Sequence, residues 1–172
     1  MDIIVIREES SEDIPAIYRI NQAAFGRPQE ALLVDRLRKE KAIIHSLVAE
    51  EKGELIGHVL FSPIMVQSES GVVVVACALG PVAVLPDRQK EGIGSMLIEA
   101  GINLCRRAGY PAMFVLGHPS YYPRFGFRPA SHFDTSCAYA VPEEAFMALE
   151  LQEAALNSVS GVVHYHSDFD GV

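Results

Sequence analysis

The stretch from Val82 to Gly109 constrains this chain more than any other. Val82-Ala83-Val84-Leu85-Pro86 reads as a strand running into a loop, and Gln89-Lys90-Glu91-Gly92-Ile93-Gly94-Ser95 follows at the start of a helix. In that helix Ile93, Leu97, Ala100, Leu104 and Ala108 form an apolar stripe, Arg106 and Arg107 occupy the last turn, and Gly109 closes it. The order strand, loop, helix points to a mixed α/β domain.

A helix's first turn presents backbone N–H groups without internal partners and carries partial positive charge. It can therefore hold a pyrophosphate once side chains are out of the way, and Gly92 and Gly94 remove them. Two glycines at a helix start suit a plain tight turn equally well, so context must decide. A Walker loop needs Gly-Lys followed by Ser or Thr, whereas Gly94 is followed directly by Ser95; a GxGxxG after the first strand is also absent.

The flanking sequence supplies a sheet and further helices. Ile3 to Ile6 is a β-branched strand, and Ser10-Ser11-Glu12-Asp13 offers a helix start near residue 11. The mostly apolar stripe Ile14, Ile17, Tyr18, Asn21, Ala24 and Phe25 then ends at Gly26, and Pro28 opens a second helix. Residues 46–50 and 55–61 form a hairpin across Glu51-Lys52-Gly53-Glu54. Val72 to Ala78 and Val82 to Leu85 read as halves of one strand, with a bulge expected at Leu79-Gly80-Pro81. Ala112 to Leu116 is a buried strand, Pro119 to Arg124 a short helix, and strands near Ala145 to Leu151 and Gly161 to Tyr165 finish the sheet. Without repeats or a linker-like composition break, residues 1–172 are expected to form one domain.

Composition excludes several function classes. A chain of 172 residues, 49% hydrophobic and 21% charged, can bury one substantial core. Its formal charge of −8 argues against a nucleic-acid surface. No window approaches the roughly 18 to 20 apolar residues of a membrane span, and no basic n-region precedes the first strand, so neither a membrane anchor nor an export signal is expected. Cys77, Cys105 and Cys137 are scattered and odd in number, which fits a reduced, cytoplasmic setting, and Cys77 and Cys105 fall in apolar patterns as core residues. His58 sits on a strand and reads as a hydrogen-bonded structural histidine. His164 and His166 share a strand face without completing a ligand set, so no metal is expected.

Gln89-x-x-Gly92-x-Gly94 after a strand and before a helix, with Tyr122-Pro123-Arg124-Phe125-Gly126-Phe127 downstream, resembles the two signatures of the GNAT superfamily of acetyl-CoA-dependent N-acetyltransferases. The pieces Ile56 to Pro63, Leu79 to Val84 and Leu116 to Tyr122 are similar to its YhbS-like branch, with the resemblance strongest over residues 3–130. It implies a GNAT fold: a central, mostly antiparallel twisted sheet, splayed between its fourth and fifth strands and flanked by helices on both faces. It also implies acetyl-CoA as co-substrate and an amine acceptor, on a small molecule or a protein.

By the same resemblance, main-chain groups of Val82, Ala83 and Val84 would pair with the pantetheine arm. The backbone of Gln89, Lys90, Glu91, Gly92, Ile93, Gly94 and Ser95 would bind the pyrophosphate. Tyr122 would be the acid that protonates the departing thiolate, with Tyr121 packing or lining the pocket. Many family members carry a glutamate on the fifth strand as base, whereas Ala112 to Leu116 holds no acid. Glu30 and His118 are the candidates left for base or substrate contact. A homodimer is compatible with the family, and a non-catalytic acyl-CoA sensor is the alternative function from another class.

Overall fold

The structure, a computed structural model, describes residues 2–172. Among these residues the strands are β1 (Ile4–Glu8), β2 (His45–Glu51), β3 (Glu54–Gln67), β4 (Val73–Val84), β5 (Ala112–Leu116), β6 (Arg128–Pro129), β7 (Thr135–Cys137), β8 (Phe146–Glu150) and β9 (Gly161–His164). The helices are α1 (Ile14–Phe25), α2 (Gln29–Lys39) and α3 (Ile93–Arg107). The sheet is mixed: β1-β2-β3, β5-β8 and β6-β8 pair antiparallel, as do β3 and β9, while β4-β5 and β7-β9 are parallel.

The chain forms two compact units. The first comprises, of the described residues, 2–62, 80–101 and 167–172. Here a turn of 3₁₀ helix, Ser11–Asp13, precedes α1, and its start is fixed by charge. The Asp13 carboxylate accepts from the Ser10 N–H at 2.7 Å and from Arg7 Nη1 at 2.7 Å. Arg7 holds the Asp13 carboxyl down at about 2. Ile17 of α1 and Leu33, Val34 and Leu37 of α2 pack with Val48 and Leu60 from the β2–β3 hairpin. Leu32 points outward, on the charged side of α2.

His58 is buried in this unit between two polar side chains. Asn21 Nδ2 donates to His58 Nδ1 at 3.1 Å, so Nε2 carries the proton and donates to Ser46 Oγ at 2.8 Å. Burial, with a smaller contribution from Arg38, pushes the imidazole down to about 3, so it is neutral. The structural role expected for it is what the fold gives it.

The second unit comprises residues 63–79 and 102–166. Ile64, Val66, Ala76, Ala78, Phe114, Phe146, Ala148 and Val163 build its core, with Phe114 and Phe146 stacked at 5.6 Å between ring centroids. The interruption expected at Leu79-Gly80-Pro81 does not end β4, but it marks a change. The Gly80–Pro81 bond is cis, and the register of β4 with β5 covers only Cys77 to Leu79. Four features differ from sequence expectation. The β3 strand runs on to Gln67, beyond residue 61; the segment at 119–124 is a 3₁₀ turn over Tyr122–Phe125 rather than a longer helix; and β6 and β7 are added short strands.

Candidate active site

The end of β4 and the loop after it lie wholly within the first unit. Ala83 is buried while Val82 and Val84 are half-buried, as alternation along a strand requires. The loop leaving β4 is tied down at three points. The Leu85 N–H donates to the Ile56 carbonyl at 3.0 Å, and Gln89 Nε2 reaches back to the Val84 carbonyl at 3.1 Å. Arg88 forms the third tie, to Glu51 at the end of β2 and to Glu91.

Between these ties and α3 the backbone turns through left-handed conformations at Lys90 (φ 68°) and Gly92 (φ 83°). Only glycine takes such a φ without steric cost, which accounts for Gly92. Its side-chain direction is open: a Cβ built there meets nothing within 4 Å. Gln89 to Gly92 are exposed, whereas Ile93 is buried and anchors the first turn of α3. The result is an exposed, glycine-turned backbone at the N-terminus of a fifteen-residue helix. Such a terminus attracts anions through its unpaired amides and its dipole.

Tyr122 belongs to the second unit and follows β5. Its ring lies against Gly117, where a Cβ would stand 2.4 Å from Tyr122 Cε2, so only glycine at 117 admits this ring position. Edge contacts to Tyr121 (5.1 Å between centroids) and Phe127 (5.8 Å) complete the socket. The Phe127 side chain is buried, which gives Gly126-Phe127 a packing role beside the tyrosine. Desolvation first, and the neighbouring Tyr121 second, push the Tyr122 phenol up to about 12, so it keeps its proton at neutral pH. Tyr121 packs as expected, under Arg124, whose guanidinium carbon is 4.3 Å from the ring centroid.

The candidates for base or substrate contact fare differently. Glu30, on α2, is buried and clamped by Arg27, with Nε at 2.8 Å from Oε1 and Nη2 at 2.7 Å from Oε2. His118, past the end of β5, is exposed, and its carbonyl accepts the Tyr121 N–H at 3.1 Å. Sequence reading passed over Arg88 and Glu51. An arginine before a glycine loop looks like a solvated charge, and its partner is 37 residues away.

A family model described as an acetyltransferase (GNAT) domain matches residues 5–130. The chain belongs to the GNAT acetyltransferases. This GNAT chain is 36% identical over 168 residues to the N-acetyltransferase YhbS of Escherichia coli strain K12, covering 97% of this chain and 99% of that protein. Its structure superposes on that of E. coli YhbS in complex with CoA with a TM-score of 0.92, at 35% identity over 98% of this chain and 93% of that one. A GNAT acetyltransferase from Brucella melitensis, solved with acetyl-CoA, gives a TM-score of 0.81 at 36% identity, covering 98% and 99% of the two chains. The GNAT fold implied by the two sequence signatures is therefore the fold of this chain. Among the described residues no helix is long and apolar enough to cross a membrane.

Proposed function

We propose that this chain, as one catalytic domain working in the cytoplasm, transfers the acetyl group of acetyl-CoA to an amine on a small molecule or a protein. The observation that carries the reading is the exposed Gln89–Gly92 backbone, turned at Lys90 and Gly92 and opening directly onto α3. The relatives bound to CoA and acetyl-CoA support it.

The residues present fit that co-substrate. The backbone of Gln89 to Ser95 would hold the pyrophosphate, and the open space beside Gly92 leaves room for it. Val82, Ala83 and Val84 would pair their main chain with the pantetheine arm, and an N–H of β4 would polarise the acetyl carbonyl. Acetyl-CoA itself supplies the activated thioester.

By the family resemblance, Tyr122 would supply the proton that the departing sulfur needs. Its phenol at about 12 lies roughly three to four units above a thiol near 8.5, so full transfer in isolation is uphill by about 5 kcal/mol. The hydroxyl therefore acts first as a hydrogen-bond donor to sulfur. As the C–S bond breaks its proton passes to the sulfur, and the proton that the acylated amine sheds returns to the phenolate, directly or through water.

The absence of an acid from Ala112 to Leu116 and the capture of Glu30 by Arg27 favour a second reading, a non-catalytic acyl-CoA sensor. Thiol release from acetyl-CoA across a panel of amines separates the two, because the sensor binds without release. For the enzyme, Tyr122→Phe should keep acetyl-CoA affinity and lower turnover by roughly 10- to 10⁴-fold. Unchanged turnover would remove Tyr122 from the acid role.

A further inference from the structure

An acid in a phosphate-binding loop needs an explanation, because Glu91 sits between Gln89 and Gly92 and carries a charge of the same sign as the ligand proposed for it. Arg88 provides one. Its Nε donates to Glu91 Oε2 at 2.9 Å and its Nη2 to Glu91 Oε1 at 3.3 Å; its Nη1 and Nη2 donate to the two Glu51 oxygens at 2.6 and 3.2 Å. One guanidinium thus holds two carboxylates, each in a two-pronged grip, with four of its five N–H groups committed. Little donor capacity is left for a phosphate. Arg88 and Glu51 are both largely sheltered, at 24% and 17% side-chain exposure, so that half of the fork is a fixed part of the fold, while Glu91 reaches the same guanidinium from the exposed side of the loop.

We propose that Arg88 is a positioning residue for CoA binding: it draws the Glu91 carboxylate away from the anion's path and pins the Gln89–Gly92 backbone to the β2–β3 hairpin through Glu51. This rests on the acetyl-CoA reading of the loop. Arg88 divides its single positive charge between Glu91 and Glu51, so the trio keeps one net negative charge, and the charge at position 91 is tolerated because its carboxylate is held aside. Removing Arg88 releases that charge, and Glu91 then repels the pyrophosphate.

The two effects separate by calorimetric titration of CoA into wild type, Arg88→Met, Glu91→Gln and the double variant. In the wild-type background Arg88→Met should weaken CoA binding by at least about tenfold, and in the Glu91→Gln background by less than about threefold. Raising the salt concentration should narrow the first loss, because the released charge is exposed. An equal cost for Arg88→Met in both backgrounds, including no cost, overturns the proposal, since a purely structural tether would be lost alike in each. If Arg88→Met does not fold, Arg88→Lys takes its place. It keeps the charge but not the fork, and should lose at least about threefold with recovery in Glu91→Gln; equal loss in both backgrounds again overturns it. A wild-type protein that binds no CoA removes the acetyl-CoA reading and this inference with it. Binding by wild type with additive variants removes the inference alone.

Discussion

At the scale of single residues, the informative side chains are those whose burial sets their protonation. His58 is neutral in the fold at about 3, while in the unfolded chain it titrates near 6.5. Below that value the unfolded state binds the extra proton and the folded state does not, so stability falls as pH drops from about 6.5 towards 3. Urea denaturation at pH 7.5 and pH 5.0 should show a loss of about 2 kcal/mol from this residue. His58→Gln should abolish most of that difference. Equal slopes in the two proteins would show that the imidazole is not excluded from water as the structure has it. Asp13 works in a separate window. Held at about 2 by Arg7, it contributes stability above about pH 4 that is lost as pH falls towards 2.

At the scale of elements, α3 illustrates what sequence reading captures. Its stripe, its two terminal arginines and Gly109 located Ile93–Arg107, and Ala112–Leu116 emerged as β5 with the bounds expected, the first because it keeps one period over its length and the second because it is an unbroken apolar run between Pro111 and Gly117. The loop proposed to hold the co-substrate is marked in the sequence by its glycines, because the chemistry proposed for it is backbone. What was not legible depends on partners far along the chain. The β6 and β7 strands are two and three residues long and exist only through pairing with β8 and β9. The Arg88 fork depends on Glu51; the clamp on Glu30, by contrast, is local, set by a rotamer of Arg27 three residues before it, which no periodicity records.

The fit of α3 against β3 also turns on one residue. Gly101 faces the Phe61 ring so closely that a Cβ would stand 2.0 Å from two ring carbons. Phe61 is fully buried and cannot move aside freely. Gly101→Ala should therefore destabilise the protein by about 1–3 kcal/mol in thermal or urea unfolding, despite alanine's better helix propensity. A stabilised variant would mean that this helix does not approach the strand as closely as the structure shows.

At the scale of the whole molecule, the charge balance explains why the proposed site is built from main chain. The chain carries 22 acidic against 14 basic residues, and Arg7, Arg27, Arg38 and Arg88 are each engaged by carboxylates. An acidic chain with these four arginines so committed can still bind a polyanion if the donors are amides fixed by the fold, since these carry partial positive charge without needing a basic side chain. The loop after β4 is where the fold supplies them. Calorimetric titration of acetyl-CoA into wild type and Gly92→Glu tests this most directly, because glutamate there adds both a side chain and a charge to a position that is glycine for its φ of 83°. The account predicts saturable one-to-one binding by wild type and a loss of at least about a hundredfold in the variant; no binding by wild type, or equal affinity in the two proteins, would contradict it.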